Sequence, residues 1–287
     1  MDGGKSTTTK LELAVSSRNA NPSEWAPFKW DDPIFGSQTK GEVAPIPFTH
    51  TMGSLQLGLW RTGKGVPGCN ADGSCQVKYS APLGDETVII LEGSATVTVQ
   101  ATGKQYRLEA GSIMSHPKNV AVTWDIAPPF LKKFWVMWDC PTPGVIENDL
   151  YVGHITDNPK KAVPGDVTTW QPFTWVEPEH GILTRGELFM LRSTGSTGSL
   201  KCGLWRGGVG IEGCEKDGSS IIPYTSPLGD EVELLLEGQY HITNKDTGEQ
   251  LHLKGGDILA IPSGANLLWC SKSPFAKKFW LITNSTP

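Results

Sequence analysis

The sequence predicts an all-β protein made of two tandem copies of one barrel-sized module, and three observations carry the prediction. Residues 25–140 return at residues 170–285 with a constant offset of 145 and no gap. Short apolar runs bounded by Gly, Pro, Asp and Asn fill both copies, which is the pattern of strands separated by turns. Long stretches with helical periodicity are nearly absent. The repeat is clearest in its aromatic residues: Trp25-Ala26-Pro27-Phe28-Lys29-Trp30 comes back as Trp170-Gln171-Pro172-Phe173-Thr174-Trp175, Gly58-Leu59-Trp60-Arg61 as Gly203-Leu204-Trp205-Arg206, and Lys132-Lys133-Phe134-Trp135 as Lys277-Lys278-Phe279-Trp280. Ten of the eleven Trp residues fall into such pairs. A duplicated unit carries its own core, and the copies normally pack together.

In chain order, residues 1–24 are polar and are expected to be a mobile N-terminal segment. The first module, residues 25–140, contains strand-like runs at 55–62, 86–91, 95–100, 104–108, 112–115, 120–125 and 134–138. Residues 141–169 read as a linker, and residues 170–287 as the second module. Its corresponding runs are 200–207, 231–236, 240–244, 249–253, 257–260, 266–270 and 279–283. Ala101-Thr102-Gly103 and Asp246-Thr247-Gly248 fall where a tight hairpin turn is needed, and Gly tolerates the positive φ of such turns. Many short strands with Gly-rich turns imply a sandwich or small barrel in each half.

The 287 residues suffice for two domains with real cores. A net charge of -5 without any Lys/Arg-rich stretch argues against a nucleic-acid partner, because phosphate binding needs a concentrated basic face. No apolar run approaches the roughly 20 residues that span a bilayer, and Met1-Asp2-Gly3-Gly4-Lys5 lacks the apolar segment of a secretory signal. The expectation is a soluble cytoplasmic protein, monomeric or homodimeric, without a membrane partner. Six Cys in a chain this long do not make a disulfide scaffold. A local Cys69–Cys75 bridge is geometrically conceivable, but the counterparts are Cys214 and Ser220, so one module manages without it. The spacing does not suit zinc, and the cysteines read as free thiols.

Asp85-Glu86-Thr87-Val88-Ile89-Ile90-Leu91-Glu92-Gly93 and Asp230-Glu231-Val232-Glu233-Leu234-Leu235-Leu236-Glu237-Gly238 resemble the first motif of the cupin superfamily, G-x5-H-x-H-x4-E-x6-G. Gly111-Ser112-Ile113-Met114-Ser115-His116-Pro117 and Gly256-Asp257-Ile258-Leu259-Ala260-Ile261-Pro262-Ser263-Gly264 resemble the second, G-x5-P-x-G-x2-H-x3-N. With the trailing Pro-Phe-x-Lys-Lys-Phe-Trp, the chain is similar to bicupins of the branch that includes ureidoglycine aminohydrolase and ethanolamine-utilisation cupins. The resemblance implies two tandem cupin barrels, the double-stranded β-helix or jelly-roll fold. It does not specify a substrate, since this barrel hosts many chemistries.

The departure from the family lies at its metal ligands. Threaded from Gly73 and Gly218, the first-motif His positions are Tyr79 and Ala81 in one module and Tyr224 and Ser226 in the other. A frame shifted by one puts Ser80 and Pro82, or Thr225 and Pro227, there instead. The second-motif His becomes Val122 and Leu267, and only the Glu ligand survives, as Glu86 and Glu231. A divalent transition metal wants several imidazole, thiolate or carboxylate ligands converging on one point. Neither a metal nor another cofactor is expected.

Strand alternation and the family frame both point Glu86 and Glu231 into the barrel. A carboxylate in an apolar funnel has its charged form disfavoured, which moves it toward a range useful for proton transfer. Tyr79 and Tyr224 complete a candidate acid/base pair in each barrel; the alternative is that the Glu only braces the strand. Glu233, on the same strand face as Glu231, replaces Val88 and makes the second barrel more acidic. His241 and Asn266 replace Thr96 and Ala121, adding polar groups there as candidate substrate contacts. His116 is the first choice for a catalytic histidine because its motif strand lines the family's pocket, against a purely structural role. Val122, Trp124 and Leu267 are expected at the pocket. Arg61 and Arg206 either clamp a substrate carboxylate or pack over a Trp ring and bond a carboxylate of the other module. The leading reading is a metal-independent bicupin acting on a small organic molecule by proton transfer, of isomerase, cyclase or lyase type. The alternatives are a non-catalytic small-molecule binding or sensing bicupin, and a metal-dependent hydrolase resembling ureidoglycine aminohydrolase.

Overall fold

The structure is a computed structural model that describes residues 11–19, 25–156, 170–272 and 274–286. A short strand from the N-terminal segment comes first, β1 (Ala14–Ser17). The first module supplies β2 (Ala26–Asp32), β3 (Gly36–Ile46), β4 (Ser54–Gly63), β5 (Cys75–Tyr79), β6 (Asp85–Glu92), β7 (Ser94–Val99), β8 (Gln105–Glu109), β9 (Ser112–His116), β10 (Val122–Ile126) and β11 (Phe130–Asp139). The intervening segment adds β12 (Tyr151–His154). The second module repeats the set as β13 (Gln171–Glu177), β14 (Gly181–Arg192), β15 (Ser199–Gly208), β16 (Ser220–Tyr224), β17 (Asp230–Glu237), β18 (Gln239–Asn244), β19 (Gln250–Lys254), β20 (Asp257–Ile261), β21 (Leu267–Ser271) and β22 (Phe275–Asn284). No helix among the described residues is long and apolar enough to cross a membrane.

Each module folds a seven-stranded sheet over a four-stranded one. The orders are β12-β9-β6-β11-β4-β3-β2 over β5-β10-β7-β8, and β1-β20-β17-β22-β15-β14-β13 over β16-β21-β18-β19. β7 alternates cleanly between half-buried and buried residues, as a strand with one wet face must. β6 and β17 are buried along nearly their whole length, because one face lines a barrel and the other meets the partner module. On β4, Leu55, Leu57 and Leu59 join Phe134, Val136 and Trp138 in an apolar layer with Leu200, Cys202, Leu204, Phe279 and Leu281 of the second module. Trp138, the one Trp without a repeat partner, is fully buried in this layer and donates its indole N–H to the Thr197 carbonyl at 3.0 Å.

The strand-like runs of the sequence are all present, with shifted ends, while β2, β3, β5 and their counterparts were not expected. β3 carries two Gly, a Pro and mostly half-exposed residues, so tertiary pairing with β2 and β4 makes it a strand without an apolar pattern to announce it. The expected hairpin turns form, with Gly103 and Gly248 at φ of 68° and 77°. The cysteines are free thiols; burial and the neighbouring Cys69 push the Cys75 thiol up to about 12.

Two expectations about boundaries are corrected. The N-terminal segment is not simply mobile, since β1 pairs with β20 of the second module, Ala14 against Ala260 through Ser17 against Asp257. The linker likewise contains β12, which pairs with β9 of the first module, Tyr151 against Ser115 through His154 against Ser112. The two pairings are equivalent under the repeat, so each module takes its edge strand from the segment that precedes the other. The physical reason is an open sheet edge whose amides need partners, with Leu11 and Leu13 packing onto the second core. The remainder of these segments, residues 1–10, 20–24 and 157–169, lies outside the described residues.

A pair of aspartates seals the same contact. Asp85 accepts from Ser196 N and Oγ of the other module at 2.7 and 2.5 Å and from Lys118 N at 2.8 Å. Its counterpart Asp230 accepts from Thr51 N and Oγ1, both at 2.7 Å, and from Ser263 N at 2.8 Å. Arg192 breaks the symmetry: fully buried, it bonds Glu147 at 2.5 Å and Ser115 at 3.1 Å and lies 3.3 Å from Asp85.

Candidate functional site

Each barrel encloses a cavity, of about 380 Å³ in the first and about 220 Å³ in the second. The first is walled by aromatic rings, among them Trp30, Trp60, Trp124 and Trp135, and its polar groups include Glu86, Lys133, Tyr79 and Gln56. Glu86 enters from β6 and is 5% exposed. Lys133 enters from β11, where the pairing with β6 slips between Lys132 and Lys133. Its ammonium lies 2.8 Å from Glu86 Oε1, 5.1 Å from the centre of the Trp60 ring and 4.8 Å from that of Trp124. This corrects the apolar funnel expected around Glu86: a cation sits beside the carboxylate at the cavity wall. The sequence contained the lysine as half of a Lys-Lys pair, with nothing to show which of the two faces inward.

Tyr79, at the end of β5, packs edge-on against Trp30 and His116, each with ring centres 5.7 Å away. Its buried hydroxyl has no hydrogen-bond partner among the described residues. Burial pushes that hydroxyl up, and the Glu86 charge adds to the effect. The expected Tyr79–Glu86 pair is therefore two neighbours on one cavity wall, with the carboxylate turned to Lys133. His116 is fully buried, bonds the Val120 carbonyl through Nε2 at 2.6 Å and does not line the cavity. Burial lowers its pKa, and its ring acts as a brace for the turn that follows β9.

The second barrel arranges the same parts differently. Tyr224 donates to Glu231 Oε2 at 2.7 Å, and both line the cavity. Lys278, the counterpart of Lys133, instead contacts Glu233. Burial pushes the Glu233 carboxyl above the usual carboxylate range; the Lys278 ammonium opposes this and the Glu231 charge adds to it.

Several expected binding residues lie elsewhere. Val122 and Leu267 are fully buried, opposite Tyr79 and Tyr224 in the sheet, and serve as packing behind the cavities; Trp124 does line its cavity. Arg61 stacks over Trp25 at 4.3 Å and pairs with Glu42 at 2.8 Å, and Arg206 stacks over Trp170 and pairs with Glu187 at 2.6 Å. Both arginines are structural clips, and the carboxylates come from their own module because β3 and β14 lie alongside. His241 faces outward against His252, since odd-numbered positions of β18 point away from the core. Asn266 sits on an outer turn, its amide 3.2 Å from Asp246.

The sequence model of a family described as the EutQ-like cupin domain matches residues 70–142, which covers β5 to β11. No curated protein matches the chain in sequence. Among solved structures, a protein of unknown function of the DUF861 family from Pseudomonas syringae pv. tomato superposes with a TM-score of 0.61 at 15% identity, covering 96% of this chain and 100% of that one. A putative glyoxylate induced protein from Pseudomonas aeruginosa gives 0.60 at 11% identity over 100% of this chain and 95% of that one. Oxalate decarboxylase of Bacillus subtilis gives 0.50 at 12% identity over 97% of this chain and 79% of that one. The chain has the bicupin fold, two tandem cupin barrels. These likenesses establish the fold and leave the chemistry to the residues present.

The decarboxylase carries Mn(II) centres, so the fit of this bicupin to a metal can be tested on its donors. At the frame's ligand positions stand Tyr79, Ala81, Glu86 and Val122, and the single carboxylate is already bonded to an ammonium. In the second barrel Tyr224, Ser226, Glu231 and Leu267 stand there, and Glu231 is bonded to Tyr224. Among the described residues no three His, Cys, Asp or Glu side chains are grouped to hold an ion. The donor set does not fit a divalent metal, because a second cation would meet Lys133 with one carboxylate to share.

Proposed function

We propose that the first barrel binds a small organic molecule and moves a proton on it, with Glu86 as the acid/base group. The reading is supported chiefly by the Glu86–Lys133 pair at the cavity wall beside the unpartnered Tyr79 hydroxyl. A carboxylate there takes a proton from a carbon next to a carbonyl. The electron pair left behind moves onto the carbonyl oxygen, where Lys133 and Tyr79 receive the developing charge, as preorganised donors do in water-poor sites. Return of the proton to a different carbon is an isomerisation; loss of a leaving group instead is an elimination; attack on a second carbon of the same molecule is a cyclisation. No step needs a metal ion. Positioned acid/base groups contribute about 10²–10⁴ in rate.

The test uses exchange of the carbon-bound protons of phenylacetone in deuterated water, followed by NMR. The intact chain should exchange them faster than buffer, Glu86→Gln should lose about 10²–10⁴ of that rate, and Glu231→Gln should keep it. Unchanged exchange in Glu86→Gln overturns the reading. Binding without turnover is the second reading, favoured by the engagement of Glu86 by Lys133; it predicts a bound ligand and no exchange above buffer.

A further inference from the structure

The two barrels differ in how they satisfy their own hydrogen-bond donors. In the second, Glu177 Oε2 accepts the Trp175 indole N–H at 3.0 Å, and Glu231 accepts the Tyr224 hydroxyl at 2.7 Å. In the first, Asp32 stands where Glu177 does and is one methylene shorter. Its oxygens are taken by Ser80 N and Oγ at 2.8 and 3.0 Å and by Ile34 N at 2.9 Å and Phe35 N at 3.2 Å. The Trp30 indole N–H is left without a partner. The Tyr79 hydroxyl is left likewise, because Val88 offers Lys133 no second acid and Glu86 turns to the lysine. Trp135 Nε1 is unpartnered too, but so are its counterpart Trp280 Nε1 and Trp269 Nε1 at the second cavity, so Trp30 and Tyr79 are the donors that set the first barrel apart, and both line its cavity.

Indole N–H groups only donate, and a buried donor left unmade is costly, so the wall calls for acceptor oxygens from a ligand. Charge narrows the choice. Glu86 and Lys133 already balance each other, an amine would bring further donors and a second cation, and a carboxylate would compete with Glu86 for the lysine.

We infer that the first barrel takes an uncharged carbonyl compound with at least two acceptor oxygens, of the 1,3-dicarbonyl type, whose oxygens accept from Trp30, Tyr79 and Lys133. The assignment rests on the first barrel being the ligand site and deepens the proton-transfer reading. The carbon between two carbonyls gives its proton to Glu86, the C–H electron pair spreads over both oxygens as an enolate, and the net charge of the cavity is unchanged.

The experiment titrates the full chain with 1-phenylbutane-1,3-dione, 4-phenylbutylamine and 4-phenylbutyrate by calorimetry, with enolate absorbance of the dione read in parallel. The dione should bind most tightly. Tyr79→Phe and Trp30→Phe should each weaken it roughly three- to tenfold, and so should Asp32→Glu, which gives Trp30 the partner Trp175 has without removing a ring. Tyr224→Phe should leave dione affinity alone. Tighter binding of the amine or the acid, or unchanged dione affinity in both Tyr79→Phe and Asp32→Glu, overturns the ligand class. Dione binding with the expected sensitivities but without a Glu86-dependent enolate signal leaves the ligand class standing and removes the proton transfer. Glu86-dependent phenylacetone exchange with insensitive dione binding does the reverse.

Discussion

Arg192 is the side chain on which the polar seam between the modules turns. It is fully buried and holds Glu147 and Asp85, two carboxylates from the first-module side of the seam. Removing one member of a buried ionic cluster strands the others, at about 3–5 kcal/mol. Arg192→Ala should therefore lower the unfolding free energy measured by urea titration by that much, and Arg192→Lys should recover only part, because a single ammonium cannot reproduce the planar fork. His116 gives a pH dependence of known sign. Burial holds its folded pKa below the ordinary 6.5, so the unfolded chain takes up the proton first as pH falls. Its contribution to stability is intact above the unfolded value and is lost as pH drops below it toward the folded one. Urea unfolding at pH 7.5 and pH 5.5, conditions on the order of one unit either side of that value, should show a smaller drop for His116→Gln than for the parent. These effects were hidden in the sequence, where His116 looked like a pocket residue and Arg192 had no counterpart beyond Pro47 to suggest a role.

At the scale of elements, β1 and β12 are short strands with outsized consequences. Four residues of β1 complete the edge at β20, with Leu11 and Leu13 covering the core beneath. A chain begun at Asn19 should lose about 2–4 kcal/mol in the second barrel, from several hydrogen bonds and two partly buried leucines. Amide hydrogen exchange should localise the loss to residues 257–260 while β9 stays protected by β12. Equal loosening of both barrels would contradict the pairing. Neither strand was legible in advance: AVSS and YVGH are too short for a period-2 pattern to show, and a free sheet edge elsewhere in the chain selects them. β6 and β17 were legible because burial on both faces demands a continuous apolar run.

The whole molecule is held together by the apolar layer between the seven-stranded sheets and by the exchanged edges. Residues 25–140 alone would bare Leu55, Leu57, Leu59, Phe134, Val136 and Trp138 and would lack β12. This fragment should run as self-associated or aggregated material in size-exclusion chromatography, since a contiguous apolar face of that kind seeks a partner. A folded, monomeric fragment would show that the modules are independent. Duplication placed two cavities in one body, and two differences at acidic positions, Asp32 for Glu177 and Val88 for Glu233, accompany the different bonding of Trp30 and Tyr79 from that of Trp175 and Tyr224.

The amino-acid sequence alone determined the duplication, the all-β class, the turns at Gly103 and Gly248 and the inward direction of Glu86 and Glu231, because repeats and strand alternation are local properties of the chain. The tertiary structure decided what meets those carboxylates. Lys133 lies 47 positions from Glu86 and reaches it only through the register of β11 on β6, and Lys278 chooses Glu233 over Glu231 by proximity within the packed barrel. Which donor finds an acceptor, and which edge finds a strand, depends on distances between segments far apart in sequence, and no local pattern encodes those.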